Sequence, residues 1–109
     1  MAFKGGDVVT GLFAGSQTDE SRPAVVVSSE TYQSYRPDVV ICFLTTQIAG
    51  ANSPTDYVIK EWRNAGLTQP TAFRAFFVTV RKAEVKKIGH LAAEDWQEIQ
   101  DRLKLALAL

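Results

Sequence analysis

Val39-Val40-Ile41-Cys42-Phe43-Leu44, followed at once by Thr45-Thr46-Gln47, is a run of six apolar residues with no polar alternation. A short continuous run of this kind, bounded by polar residues, is the pattern of a strand buried on both faces rather than one side of a helix. It predicts the central strand of a small β structure. Cys42 lies inside the run and is the only cysteine, so no internal disulfide is available and the thiol is expected to be buried and inert.

Upstream, Arg22-Pro23 opens a second apolar run, Ala24 to Val27, with the proline at a strand entrance where its missing N–H does least harm. Residues 28 to 32 read as a turn into a short helical piece, and Tyr35-Arg36-Pro37 as a loop. Further back, Asp7 to Phe13 is rich in β-branched and aromatic residues and is bracketed by Gly5, Gly6 and Gly15, as a first strand would be. Ala14 to Ser21, all small or polar, is a long surface loop. Downstream, Thr45 to Thr55 is a loop carrying Gly50 and Pro54, Tyr57 to Ile59 a short strand, and Glu61 to Asn64 one helical turn ended by Ala65-Gly66. Thr71 to Val80 is the last long strand, and Lys82 to Gly89 a connection. Trp96, Ile99, Leu103 and Leu107 then recur every three or four residues, which predicts an amphipathic helix from Ala93 to Leu107. Glu94 and Asp95 in its first turn and Arg102 and Lys104 towards its end each oppose the local pole of the macrodipole. Several short strands and one terminal helix predict a mostly β fold with α: a small SH3-like barrel or curled sheet closed by the C-terminal helix.

Length and composition set limits on function. With 109 residues, 46% hydrophobic and 22% charged, the chain is expected to form one domain over 1–109. No apolar run approaches the roughly 18 residues a membrane span needs, and the N-terminus lacks the apolar core of a secretion signal, so a cytoplasmic protein is expected. The net charge of zero argues against holding duplex nucleic acid by bulk electrostatics. Between residues 60 and 90, however, seven basic side chains stand against Glu61 and Glu84, forming either one basic face or a solvated lysine-rich loop. His90 and Cys42, far apart in the chain, cannot supply the clustered ligands of a zinc site, so no metal and no cofactor is expected. His90 itself reads as a capping or packing residue, and no glycine-rich phosphate loop is present.

What remains is Arg22 at a strand start and the hydroxyls of Thr45-Thr46-Gln47 at a strand end. At this point the sequence resembles the MazF/PemK family of type II toxin-antitoxin ribonucleases, almost end to end. The resemblance is carried by Gly-Asp-Val-Val (6 to 9), Gly-Ser (15 to 16), Arg-Pro-Ala-Val-Val-Val-Ser-Ser (22 to 29) and Tyr32. It continues through Leu-Thr-Thr-Gln-Ile (44 to 48), Ala-Gly-Leu-Thr-Gln-Pro (65 to 70), Val-Thr-Val (78 to 80) and Ile-Gly-His-Leu (88 to 91).

The resemblance implies the CcdB/MazF-type barrel and a toxin that is a metal-independent, sequence-selective endoribonuclease, an mRNA interferase. It would cleave single-stranded RNA by 2′-OH attack, leaving a cyclic phosphate and a free 5′ hydroxyl. Carried over residue by residue, Arg22 and Thr45 are the catalytic pair, and Ser16, Gln17, Thr46 and Gln47 the RNA-binding residues beside a loop that would cover the strand. The chemistry suits those types. A guanidinium offers aligned donors that strengthen as charge grows on the phosphate oxygens, and a threonine hydroxyl holds the phosphate in line. Phe13, Tyr32 or Tyr35 would serve either as a stacking face for bases or as barrel residues. The implied partners are messenger RNA, a second copy in a homodimer, and a cognate antitoxin whose disordered tail occupies the groove.

Two departures stand out. Several members of the family carry an acid directly after the loop Gly-Ser, where this chain has Gln17, with Asp19 and Glu20 following either as displaced proton acceptors or for loop solubility. Another pattern places a basic residue near the threonine of the last strand, where Phe77 and Val78 precede Thr79. The same fold also hosts CcdB-like gyrase inhibitors, which act through a C-terminal segment containing Trp and Gly. This chain ends Leu105-Ala106-Leu107-Ala108-Leu109, which favours the nuclease. A degenerate barrel kept as a protein-interaction module is the third reading, and Gln17 is the residue that sustains it.

Overall fold

Two-sided burial of the 39–44 run sets the architecture. In the computed structural model, which describes residues 2–11 and 21–109, this run lies in β3 (Asp38–Thr45), flanked on both sides by antiparallel neighbours. The remaining strands are β1 (Asp7–Gly11), β2 (Arg22–Val26), β4 (Tyr57–Val58), β5 (Ala72–Arg81) and β6 (Lys86–His90). Together they form one six-stranded sheet in the order β4-β5-β3-β2-β1-β6, every pair antiparallel. Among the described residues two α-helices accompany the sheet, α1 (Glu30–Ser34) and α2 (Ala93–Leu107).

Because successive strand residues point to opposite faces, β3 feeds two cores. Val39 and Ile41 join Phe3, Val9, Ala24 and Val26 on one face. Cys42 and Leu44 join Val8, Val25, Phe73, Leu91 and Ile99 on the other, where Trp96 and Leu103 of α2 pack against the cluster. Burial of this kind is worth about 1.5–3 kcal/mol for each large aliphatic side chain. It also pushes the Cys42 thiol up to about 12, so the sulfur is inert at neutral pH.

The sheet curls into a half-barrel whose edge strands, β4 and β6, share no ladder among the described residues, and the turn at Ala65-Gly66 reaches across to β6. Their gap is filled by backbone packed on backbone. A Cβ placed on Gly89 would sit 2.1 Å from the Ala65 carbonyl oxygen, and one on Gly66, at φ +85°, 2.3 Å from that of Ile88. Only glycine on both sides permits this approach. The segment expected as a helical turn, Glu61 to Asn64, is a set of overlapping turns, with Ala65 N–H bonded to Trp62 O at 3.2 Å and Gly66 N–H to Arg63 O at 3.2 Å. Their role is to deliver Ala65-Gly66 to β6.

A second expectation is corrected in the same place. Lys82 to Gly89 is not merely a connection: Lys86–His90 is a strand that covers the outer edge of β1, with a register shift between Val8 and Val9. Lys-Lys-Ile-Gly-His has little intrinsic strand preference; the unpaired edge of β1 imposes it. The first strand is described to Gly11, and the long loop expected over Ala14 to Ser21 falls outside the described residues but for Ser21.

Two buried carboxylates bind the elements together. Asp95, in the first turn of α2, accepts from Tyr57 Oη at 2.6 Å and from the backbone N–H groups of Lys60 and Glu61 at 3.1 and 2.9 Å. Burial and then this carboxylate hold the Tyr57 phenol well above its usual range, so it stays a donor. Asp7, 1% exposed, opens β1. It accepts from Lys4 N–H at 2.8 Å and pairs with His90 Nδ1 at 2.7 Å and Lys87 Nζ at 3.3 Å. His90, expected as a capping or packing residue, is exposed at the end of β6 and instead ties that strand to β1 through Asp7. Around the other core, the Gln33 side chain of α1 brackets Phe3, accepting from its N–H at 2.8 Å and donating to its carbonyl at 2.7 Å.

Two predictions follow from the closure and from Asp7. Gly89→Ala forces the 65–66 turn off β6 and is expected to cost about 1–3 kcal/mol, read as a lower urea midpoint with an unchanged slope. For Asp7, burial raises the carboxyl pKa, but the bonds from Lys4, His90 and Lys87 outweigh it and the net shift is downward from 3.8. A depressed folded value means that the stabilisation is complete above the unfolded pKa and is lost as pH falls through the folded one. Asp7→Asn is therefore expected to lower stability by about 2 kcal/mol at pH 7 and to flatten the loss of stability below about pH 4, measured by urea unfolding across pH.

Candidate active site

An antiparallel hairpin brings the start of one strand beside the end of the next. The ladder pairs Val26 with Ile41, Val25 with Cys42 and Ala24 with Phe43, and the same register leads on to Arg22 at the beginning of β2 and Thr45 at the end of β3. Both side chains line one groove of about 770 Å³. Its far wall comes from β5, where Arg74, Phe76 and Val78, two residues apart, share a face. Ser53, Thr55 and Asp56 form the rim.

Within this groove the charges are unequal. Arg74 Nε lies 3.5 Å from Asp56 Oδ1, and the buried Asp56 carboxylate is itself held by Ser53 N–H at 3.0 Å. Arg22 is not neutralised in this way. Among the described residues no carboxylate reaches salt-bridge distance of it, and its guanidinium lies over the face of Phe43, 4.5 Å from the ring centroid. Phe43 in turn stacks on Phe76, with centroids 5.8 Å apart and planes at 25°. Thr45 Oγ1 accepts the Gln47 N–H at 3.0 Å, a local turn that orients the hydroxyl and leaves its own proton for an acceptor in the groove.

The other residues singled out from the sequence fall elsewhere. Thr46 and Gln47 are exposed on the loop after β3, beyond the groove lining. Ser16 and Gln17 lie outside the described residues, as do Phe13, Asp19 and Glu20. Tyr32 lines a separate, mostly apolar groove with Val27, Val40, Phe77, Leu103 and Leu107, beneath the Arg36 guanidinium, and Tyr35 is 87% exposed away from both. Among the described residues no three His, Cys, Asp or Glu side chains cluster as a metal site requires.

Among the groove residues that escaped the sequence reading are Phe43, Asp56, Arg74 and Phe76. Phe43 and Phe76 sit in apolar runs and read as core, while Arg74 reads as one of the seven basic side chains between residues 60 and 90 with nothing to place it in a groove. A signal existed. In Phe76-Phe77 strand alternation must send one ring to each face, and Arg74 two residues earlier marks the face of Phe76 as the wetter one.

A curled antiparallel sheet with a terminal helix and a cationic groove is a fold with known relatives. An endoribonuclease from a mycobacterial species, solved in complex with its cognate antitoxin, is similar with a TM-score of 0.80 and 22% identity over 99% of this chain and 97% of that one. MazE-MazF from Deinococcus radiodurans gives 0.76 at 15% identity, over 100% and 98%. The Mycobacterium tuberculosis toxin MazF-mt6 gives 0.74 at 19%, over 94% and 97%. These likenesses define the fold class, the MazF-type half-barrel. The family itself is shown by sequence: the model of the PemK-like, MazF-like toxins of type II toxin-antitoxin systems matches residues 4–107, and the chain belongs to that family.

Proposed function

We propose that this chain is a toxin that cuts single-stranded RNA at a phosphodiester bond without a metal, with Arg22 and Thr45 as its catalytic residues. The observation that supports it is the groove these two side chains share, from separate strands, with the Arg22 guanidinium opposed by no described carboxylate.

The chemistry is an internal transesterification. The ribose 2′ oxygen bonds to the adjacent phosphorus, the bond from phosphorus to the 5′ oxygen breaks, and the proton lost from the 2′ hydroxyl is balanced by one gained at the departing 5′ oxygen. The products are a cyclic phosphate and a free 5′ hydroxyl. Negative charge accumulates on the non-bridging oxygens during attack, and a guanidinium is a fork of donors suited to them. Arg22 stabilises that charge and donates towards the departing oxygen. Thr45, its hydroxyl already oriented by Gln47 N–H, donates to a phosphate oxygen and holds the backbone in line. Arg74, fixed by Asp56, is placed to hold a neighbouring phosphate.

Proposed partners follow from the family. The chain acts as a homodimer in the cytoplasm, and a cognate antitoxin silences it by occupying the groove. Two similar structures, the mycobacterial endoribonuclease in complex with its cognate antitoxin and MazE-MazF from Deinococcus radiodurans, support such a pairing. So does the chain's neutral balance of charge, since two copies together would present a longer cationic groove.

The test is cleavage of a long unstructured RNA in excess EDTA, with product ends mapped. Discrete cuts carrying cyclic phosphate ends are expected from the native chain. Arg22→Ala and Thr45→Ala should each slow cutting by about 10²–10³-fold, with Arg22→Lys restoring only part, because a lysine is a point charge without the fork. Intact RNA with the native chain overturns the reading.

A further inference from the structure

Phe76 is 61% exposed, although Phe43, the ring it stacks on, packs against the apolar cluster of that face. A phenylalanine left in water forgoes a large part of its burial energy, so a ring kept outward on a strand paired on both sides invites a function. Its position is specific. Arg22, Phe43 and Phe76 form a continuous stack, guanidinium on ring at 4.5 Å and ring on ring at 5.8 Å and 25°. Arg74 projects from the same face of β5, two residues before Phe76, and the Thr45 hydroxyl lines the same groove.

We propose that Phe43 and Phe76 are a stacking shelf for one nucleobase of a single-stranded RNA, with Phe76 offering the open ring face and Arg22 and Arg74 holding the flanking phosphates. This rests on the ribonuclease reading and adds the site at which a base is gripped. The occupant follows from the combination of groups. A flat π face flanked by cations complements a chain that alternates flat bases with anions, and aromatic stacking between cationic side chains is how single strands are held. A groove of about 770 Å³ has room for a base and its sugar phosphate. The rings carry no hydrogen-bonding group, so the shelf accepts any base by its face. Sequence selectivity must then come from polar groups elsewhere along the RNA path.

The test separates this proposal from the reading beneath it. Binding is measured by fluorescence anisotropy with a short labelled single strand of 2′-deoxy sugars, which lacks the attacking hydroxyl, and with an abasic strand of the same length. Native chain, Phe76→Leu, Phe76→Trp and Arg22→Ala are compared, each checked by thermal unfolding; an exposed ring should leave stability nearly unchanged. Phe76→Leu is expected to weaken the base-bearing strand about tenfold, Phe76→Trp to restore it, and the abasic strand to bind all three weakly and alike. If Phe76→Leu binds the base-bearing strand as the native chain does while Arg22→Ala does not, the shelf is wrong and the phosphate site stands. If Phe76→Leu alters the sedimenting mass and not the binding, Phe76 is a protein contact and the proposal falls. If no strand binds the native chain, the shelf and the ribonuclease reading fall together.

Discussion

Everything in this molecule is arranged around a strand that has no solvent side. β3 buries Val39 and Ile41 in one core and Cys42 and Leu44 in the other, so neither β2 nor β5 can slip along it by one residue without turning apolar side chains to water. That intolerance fixes the register of both neighbours. The register then brings Arg22 towards Thr45 and sets Arg74 and Phe76 opposite them across the groove. The groove inherits its precision from hydrophobic packing behind it rather than from polar contacts within it.

Closure of the half-barrel depends on a different constraint. The sheet edges are joined by backbone contact at Gly66 and Gly89, where a side chain on either residue would overlap the other segment. Two further networks tie the elements together: Asp7 of β1 with His90 and Lys87 of the neighbouring β6, and Asp95 of α2 with Tyr57 of β4. Each carboxylate is costly to bury alone and stabilising only when all its partners arrive, so the two networks favour a single closed arrangement. Both lie away from the groove, which leaves Arg22 without a carboxylate partner among the described residues.

That separation matters for a chain of zero net charge. Its cations are not spread evenly: Arg74 is partly offset by Asp56, while Arg22 rests on an aromatic face that attracts a cation without cancelling it. The balance leaves the groove with a cation able to meet an anion. The chain belongs to the PemK-like, MazF-like toxins and has the MazF-type fold.

Sequence by itself determined the elements whose signal is carried along the chain: the doubly buried strand at 39–44, the proline-marked strand after Arg22, and the helix from Ala93 to Leu107, whose bounds its apolar spacing marked in full. It also marked Arg22 and the Thr45-Thr46-Gln47 run, which the family resemblance narrowed to Arg22 and Thr45. Tertiary structure alone decided the rest. Lys86–His90 became a strand because β1 had an open edge, Glu61 to Asn64 became turns because Ala65-Gly66 had to reach β6, and Phe43 and Phe76 became groove residues because the sheet curls. In each case the deciding energy comes from a partner distant in sequence, and no local pattern of residues contains it.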